Sequence, residues 1–353
     1  MAKTHTKVST MPTFKAVPEY FDIPGQGLGV SQGESMSKGP APGQGLAQVL
    51  QQALANPSHK LLVLCRHGQG HHNVCESTFG TEKWESQVAL QPTFGSIVLE
   101  DAHLTDLGMQ QVRDAGTNLL APLVQTLGWP ERMYCSPMRR CIETFMESWG
   151  AVVESSASSS ASPEAEDEQS TGELPQELPQ ELPHDIVKTW IMGQGSGPSP
   201  DPDQLASQYP GQGYSIVAHV SETFRETLGR HYCDKRVSHS ETISQYGTRT
   251  LVLPAPKSSP TLHVSWQYPN PPMDEEDTMW SPTHRETDDE IDARIGPGLN
   301  EILSGPERYI SLTCHSGVIH SALRVLGHPP LRQLLTGGVV FVVVTPEPCA
   351  GVT

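Results

Sequence analysis

An arginine and a histidine follow a short apolar run near the start of the chain. Residues 61–65 lead into Arg66, His67 and Gly68. A neutral imidazole is a competent nucleophile near neutral pH, and a guanidinium beside it can bind phosphate through two parallel hydrogen bonds. A helix beginning after the turn would add backbone N–H donors for an anion. The residues suit phosphoryl transfer to His67, although a polar loop that ends a strand is equally compatible with them.

Several apolar runs end in polar side chains in the same way. The run 61–65 is typical of a parallel strand buried on both faces. Further short runs occupy Arg132–Cys135, 214–219 and Tyr309–Cys314, and the last leads into His315. Ligand sites of open α/β sheets lie at the carboxyl ends of their strands. A doubly wound sheet would therefore bring His67 and His315 together.

Four motifs, in this order, resemble the histidine phosphatase (phosphoglycerate mutase-like) superfamily. The resemblance implies an α/β fold, a three-layer αβα sandwich with a mostly parallel central sheet. It also implies a small phosphorylated substrate and neither metal nor cofactor. The motifs are Arg66-His67-Gly68 with Asn73, Leu104-Thr105-x-x-Gly108, a Ser-Pro-x-x-Arg-x-x-x-Thr pattern from Ser136 to Thr144, and His315-Ser316-Gly317.

The resemblance implies a role for each motif residue. His67 is then the nucleophile, with Nδ1–H donating to a backbone carbonyl so that Nε2 is free. Arg139 is assigned as the second phosphate arginine and Arg140 as an extra charge, but the adjacent pair leaves the choice open. Arg66 and His315 would also hold phosphoryl oxygens. Asn73, Arg225 and Ser316 are predicted to bind substrate.

The predicted proton donor lies after the third run. Arg225-Glu226, followed by Gly229 and a Cys-Asp-x-Arg motif at 233–236, resembles the fungal and plant branch of the superfamily. Glu226 is then the acid that protonates the leaving oxygen. Glu222 remains a rival, because it could occupy the same strand end.

Composition limits the possible partners and compartments. The formal net charge of −17 argues against a general nucleic-acid or acidic-membrane binder. Seven cysteines without a CxxC pair indicate a reducing compartment, the cytoplasm or also the nucleus. The first 30 residues show no signal-peptide pattern, and no apolar run is long enough to cross a bilayer. The sequence does not predict an oligomeric state.

Chain organisation is predicted from composition shifts. Residues 1–56 read as a partly disordered extension, 57–348 as the phosphatase domain and 349–353 as a tail. The domain is interrupted at 151–213 by a Ser/Ala-rich and acidic insertion. Further expectations are a helix N-cap at Thr105, a buried Trp84, irregular chain at 248–272, a broken or kinked helix at Gly296-Pro297-Gly298, and an edge or last strand at 339–344.

The predicted function is hydrolysis of phosphomonoesters through a phosphohistidine. The first alternative is a phosphomutase, but true phosphoglycerate mutases carry Glu before Arg-His-Tyr, where this chain has Gly229. The second is a non-catalytic protein that binds phosphorylated ligands or a protein partner. His71 and His72 suggest a metal pair, but adjacent helical residues diverge, so at most one can face the pocket.

Overall fold

A mixed eight-stranded sheet with helices on both faces forms the frame of the protein. The computed structural model describes residues 13–23, 42–159, 213–252, 260–269 and 272–347 of the 353. The strands are β1 (Phe14–Ala16), β2 (Lys60–Arg66), β5 (Arg132–Cys135), β6 (Gly213–Val220), β7 (Arg249–Val252), β8 (Thr261–Gln267), β9 (Tyr309–Cys314) and β10 (Val339–Pro346), with a separate hairpin of β3 (Thr93–Phe94) and β4 (Ile97–Val98).

The centre of the sheet is parallel. The strand order is β1-β10-β2-β9-β5-β6-β8-β7. Strands β2, β9, β5, β6 and β8 run parallel, whereas β10 is antiparallel to β1 and β2, and β7 is antiparallel to β8. The prediction of a mostly parallel sheet is confirmed.

Two local expectations concern strands. The expectation of an edge or last strand at 339–344 is confirmed, because β10 is the last strand of the described chain; β1 pairs with it through Phe14 and Pro346, so it is not the edge. The expectation of irregular chain at 248–272 is wrong, since β7 and β8 lie there. Leu262, Val264 and Trp266 are buried on one face of β8, and prolines on either side concealed this alternation.

Helices cover both faces and complete the three layers. Alternate residues of β2 point to opposite cores, with Leu61 and Val63 towards α1, α5 and α6, and Leu62 and Leu64 towards α8 and α9. The helices are α1 (Pro42–Leu54), α2 (His71–Phe79), α3 (Thr81–Lys83), α4 (Asp106–Ala115), α5 (Ala121–Leu127), α6 (Arg139–Ser159), α7 (His239–Tyr246), α8 (Asp288–Ser304) and α9 (Ser316–Val325).

Helix α8 does not break at its Gly-Pro-Gly sequence, so the expectation of a break there is wrong, while the expectation of a kink stays a prediction. The helix begins with a capping box between Thr287 and Glu290 and continues through Pro297 to Ser304. Its apolar face is buried against β9 and α9, and this packing outweighs the hydrogen bond that a proline removes. Gly298 permits close approach, because a Cβ there would lie 2.5 Å from Cγ2 of Thr223.

Two other expectations concern the start of the predicted insertion and the burial of Trp84. Helix α6 continues to Ser159 and buries Ala151, Val152 and Val153, so it enters the predicted 151–213 insertion; residues 160–212 lie outside the described chain. Trp84 is buried as predicted, in a small separate core with Leu99.

None of the described helices is long and apolar enough to span a membrane.

The turn after β2 packs backbone against backbone on the start of α4. A Cβ atom at Gly68 would lie 2.2 Å from the carbonyl oxygen of Gly108, and one at Gly108 would lie 2.1 Å from that of Gln69. Thr105 caps α4 as predicted, its Oγ1 accepting from the N–H of Gly108 at 3.0 Å, and its own N–H donates to the Gln69 carbonyl at 2.9 Å. The motif at 104–108 therefore fixes the turn that carries His67.

We expect Gly108→Ala to destabilise the protein by about 1–3 kcal/mol, because the new methyl group has no space beside the Gln69 carbonyl. The free energy of unfolding in denaturant measures this. Gly45→Ala in α1 is the matched control, since nothing lies within 4 Å of a Cβ there. It should be neutral or stabilising by about 0.5–1 kcal/mol. Equal unfolding free energies for the two variants would contradict this account of the turn.

Candidate active site

The two predicted histidines meet at the carboxyl edge of the sheet. Arg66 at the end of β2 is in register with Cys314 at the end of β9, so the next residues, His67 and His315, are neighbours. Their ring centroids are 5.2 Å apart, with ring planes inclined at 63°. Both rings are buried, His67 being 1% and His315 0% exposed. The sheet thus brings together two side chains that lie near opposite ends of the predicted domain in the sequence.

His67 is held in one orientation. Its Nδ1 lies 2.7 Å from the carbonyl oxygen of Gly68, which fits donation by Nδ1–H and leaves Nε2 with a lone pair, as the sequence analysis expected. The N–H of Gly68 donates to Oγ1 of Thr144 at 3.1 Å, and that hydroxyl donates to the Arg140 carbonyl at 2.7 Å. Thr144 therefore ties the first motif to the second.

His315 is oriented by residues at the end of β5 and the start of α6. The Ser136 hydroxyl lies 2.8 Å from its Nε2, and Sγ of Cys141 lies 3.4 Å from the same nitrogen. Burial raises the pKa of the Cys141 thiol, so this sulfur stays protonated. The second motif thereby fixes the histidine of the last one.

Two guanidinium groups adjoin the histidine pair, and each has a spare donor. Arg66 donates from Nη1 to the Leu334 carbonyl at 2.6 Å. Arg140 is fully buried and donates to the Cys233 carbonyl at 2.6 Å and to the Asp234 carboxylate at 2.9 Å. The buried Nε atoms of both arginines have no hydrogen-bond partner in the described part of the chain.

Arg139, predicted as the second phosphate arginine, is turned elsewhere. Its Nε donates to the Asp101 carbonyl at 2.9 Å, and Nη2 donates to the Glu100 carbonyl at 2.8 Å. Burial lowers the pKa of His67 and of His315 most, and the largest lowering by a neighbouring charge comes from Arg140 in both cases. Arg140, rather than Arg139, therefore acts on the histidine pair, and a phosphate contact by either arginine stays a prediction. The spacing carried this signal, since in Ser-Pro-x-x-Arg-x-x-x-Thr the arginine is Arg140 when Thr144 is the threonine.

Of the two rival carboxylates, Glu226 lies beside the histidines. Its side chain accepts from the N–H of Gly317 at 3.0 Å and from Oγ of Ser316 at 3.3 Å, at the start of α9. Glu222 is bound instead by Arg225 at 3.2 Å and Arg236 at 2.8 Å. Gly317 leaves room for the acid, because a Cβ there would lie 2.1 Å from Oε1 of Glu226.

The three predicted substrate-binding residues occupy different positions. Oδ1 of Asn73 accepts from the N–H of Gly70 at 2.9 Å and caps α2. Arg225 is fully buried and donates to the Asp277 carboxylate at 2.8 Å, so at least part of its guanidinium supports a loop. Ser316 contacts Glu226, as described above. Direct substrate contact by these three stays a prediction.

One residue near the histidine pair was not assigned a role. His72 is 7% exposed, and its ring centroid is 5.5 Å from that of His67. His71 is exposed, so only one of the adjacent pair faces the site, as predicted. Helical geometry indicated that the two would diverge but not which one would face inwards.

Comparison with known proteins places the chain in a family. No protein-family model matches it. A protein of Saccharomyces cerevisiae named as a probable phosphoglycerate mutase is 38% identical over 293 residues, covering 82% of this chain and 79% of the relative. The chain belongs to the phosphoglycerate mutase-like histidine phosphatase superfamily. A phosphoglycerate mutase-like protein of Arabidopsis thaliana is 28% identical over 268 residues, covering 76% of this chain and 75% of the relative.

Two solved phosphatase structures align with most of this chain at low sequence identity. A mycobacterial glucosyl-3-phosphoglycerate phosphatase aligns with a TM-score of 0.36 at 16% identity, covering 81% of this chain and 90% of its own. An ecdysone phosphate phosphatase from Bombix mori, solved with tungstate, aligns with a TM-score of 0.37 at 13% identity, covering 83% and 95%.

In this histidine phosphatase superfamily member, the buried imidazoles are held neutral. Burial lowers the pKa of His67, His72 and His315 well below the ordinary value, and the positive charge of Arg140 lowers all three further. A neutral His67 has the lone pair that a nucleophile requires.

Cation ligands also come together, although sequence motifs had predicted no ligand cluster. His67, Glu226 and His315 offer ligand atoms within 4.8 Å of one another, as do His231, Cys233 and Asp234. Arg140 and Arg66 add positive charge to the first group. In the second, Arg140 and Arg285 already bind the Asp234 carboxylate, at 2.9 and 2.7 Å. The charges therefore favour an anion between the histidines.

The depressed histidine pKa values predict a pH-dependent stability. Below the ordinary imidazole pKa of about 6.5 the unfolded chain binds protons that the folded chain does not, so stability falls as pH falls. In His67→Asn the unfolded chain should take up about one proton fewer between about pH 7 and pH 5. The slope of the unfolding free energy against pH should then be smaller than in the wild type by up to ~1.4 kcal/mol per pH unit. Denaturant unfolding across this range measures it. His71→Asn, at an exposed histidine, is the control. Equal slopes in the two variants would refute the lowered pKa of His67.

Proposed function

We propose that this protein is a phosphomonoesterase that hydrolyses a small phosphorylated substrate through a phosphohistidine at His67. The observation that carries the proposal is the pair of buried, unpartnered Nε atoms of Arg66 and Arg140 beside the His67–His315 pair. A buried unsatisfied donor costs about 1–3 kcal/mol, and more when charged. A phosphoryl dianion would satisfy both donors and balance their charge.

The proposed reaction has two steps. Nε2 of His67 attacks phosphorus in line, the N–P bond forms and the bond to the leaving oxygen breaks as Glu226 gives that oxygen a proton. Arg66, Arg140 and His315 stabilise charge on the equatorial oxygens. Water then attacks phosphorus, Glu226 takes its proton and the N–P bond breaks. Inorganic phosphate leaves and His67 and Glu226 return to their starting states.

A phosphomutase is the second candidate, because the curated relatives are named after phosphoglycerate mutase. The loop at Gly229 supports hydrolysis instead. Gly229 has φ of +91°, and a Cβ there would lie 1.7 Å from the carbonyl oxygen of His284. The glutamate that precedes Arg-His-Tyr in true mutases has no space in this loop. A non-catalytic role is opposed by the grouping of His67, Glu226 and His315.

We also propose a cytoplasmic or nuclear location. The six described cysteines are free and buried, which suits a reducing compartment. The net charge of −17 supports a small phosphorylated substrate over nucleic acid, with the site as a local basic region.

Turnover of p-nitrophenyl phosphate tests the function. The wild type should release phosphate, and His67→Ala should abolish release because the nucleophile is missing. With 3-phosphoglycerate as substrate, the hydrolysis proposal expects inorganic phosphate without the 2-phospho isomer. Accumulation of the isomer would establish the mutase instead, and a lack of reaction on a broad set of phosphorylated metabolites would favour the non-catalytic role.

The reassigned arginine is tested by a matched pair. Arg140→Met should lower kcat/KM about 10²–10³-fold, since it removes a charged donor to the transition state. Arg139→Met should lower the unfolding midpoint but keep kcat/KM within about tenfold, because its contacts are with the 100–101 loop. Steady-state kinetics on folded protein decide the matter. A larger loss of activity in Arg139→Met would reverse the assignment.

The acid role of Glu226 predicts a dependence on the leaving group. Glu226→Gln should slow hydrolysis of an alkyl phosphate such as glycerol phosphate about 10²–10⁴-fold, since an alkoxide needs a proton to leave. The first step with p-nitrophenyl phosphate should change much less, because nitrophenolate leaves unprotonated. Burst kinetics separate that step from hydrolysis of the intermediate. Glu222→Gln is the control and should show no such contrast; equal losses on both substrates in Glu226→Gln would remove it as the acid.

A further inference from the structure

The mechanism above leaves one buried polar side chain beside the nucleophile unused. His72, near the start of α2, is 7% exposed and its ring centroid lies 5.5 Å from that of His67. A core histidine ordinarily pairs its ring nitrogens with a carbonyl, a carboxylate or water. Nδ1 of His72 is buried and has no hydrogen-bond partner among the residues the structure describes. Packing alone therefore does not account for a histidine at this position.

The turn before α2 is shaped to admit this ring. A Cβ atom at Gly70 would lie 2.6 Å from both Nδ1 and Cε1 of His72. Gly70 has φ of −94°, which any residue adopts, so backbone conformation does not require glycine there. The glycine instead makes room for the imidazole. Gly70 thus leaves space for the buried His72 ring, while His71 remains exposed.

The charges around His72 are those of the phosphoryl site. Arg140 and Arg66 both interact electrostatically with it, and these are the two guanidinium groups assigned to the phosphoryl oxygens. Asp234, which binds Arg140, is the nearby negative charge. A neutral imidazole can donate one hydrogen bond without adding to the positive charge of this region. Its surroundings therefore match an anionic oxygen better than an apolar group.

We propose that His72 is a third imidazole of the phosphate pocket and hydrogen-bonds a phosphoryl oxygen of the bound substrate. The assignment rests on the proposed function. It adds to that function a contact from the first turn of α2, independent of the two arginines and His315. It also gives Gly70 a specific role, because the glycine keeps space for the ring beside His67.

Binding of inorganic phosphate to the full-length protein, measured by calorimetry, tests the contact. His72→Phe preserves the ring shape but removes the nitrogens, and it should weaken phosphate binding about tenfold. His72→Gln retains a donor and should recover most of that loss. His71→Phe makes the same substitution at the exposed neighbour and should bind phosphate as the wild type does. Wild-type affinity in His72→Phe would overturn the proposal.

A second measurement uses the wild-type protein and does not depend on the folding of a variant. With isotopically labelled histidine, saturating inorganic phosphate should shift a ring-nitrogen resonance of His72 as well as that of His67. A shift at His67 with none at His72 would overturn the His72 contact and leave the phosphatase proposal standing. A wild-type protein that binds no phosphate and hydrolyses no phosphomonoester would overturn both.

Discussion

The site depends on the buried ion pair between Arg140 and Asp234. Removing two charges from water is costly, and the cost is offset only where geometry is good and further hydrogen bonds are made. Asp234 meets this condition, since it accepts from Arg140 at 2.9 Å and from Arg285 at 2.7 Å. Burial alone would raise the pKa of Asp234, but the two guanidinium groups lower it to about 2. The carboxylate therefore stays charged and holds Arg140 beside the histidines.

This ion pair connects the Cys-Asp-x-Arg motif to the motifs that hold the two histidines. Cys233 and Asp234 bind Arg140 through a carbonyl and a carboxylate, and Arg236 binds Glu222 at 2.8 Å. Arg225 in turn donates to the Asp234 carbonyl at 2.7 Å. The charged residues of this motif thus support Arg140 and Glu222. The loop from 222 to 237 positions Arg140, and the sheet positions the two histidines.

Much of the candidate site could be predicted because its residues follow strand ends. A buried strand has a strong apolar pattern, and parallel strands align their carboxyl ends, so His67 and His315 could be placed together without coordinates. Glu226 could be named from its motif, but only its contacts with Ser316 and Gly317 separated it from Glu222. The sequence analysis assigned Arg139 rather than Arg140, although the motif spacing already pointed to Arg140, and it is the Arg140 charge that acts on both histidines. Local patterns also failed at Pro297, where tertiary packing keeps α8 continuous.

The sequence by itself determined the family, the parallel sheet and the two histidines that meet at its carboxyl edge. These follow from local patterns, which apolar periodicity and short motifs record directly. Only the tertiary structure decided which guanidinium acts on both histidines and which of His71 and His72 is buried beside them. It also showed that Gly70 is constrained by the His72 ring rather than by its own backbone conformation, whereas Gly229 combines a φ of +91° with a close approach to the His284 carbonyl. Such choices depend on contacts between distant segments. A side chain's direction is set by what packs against it, and no local pattern encodes that.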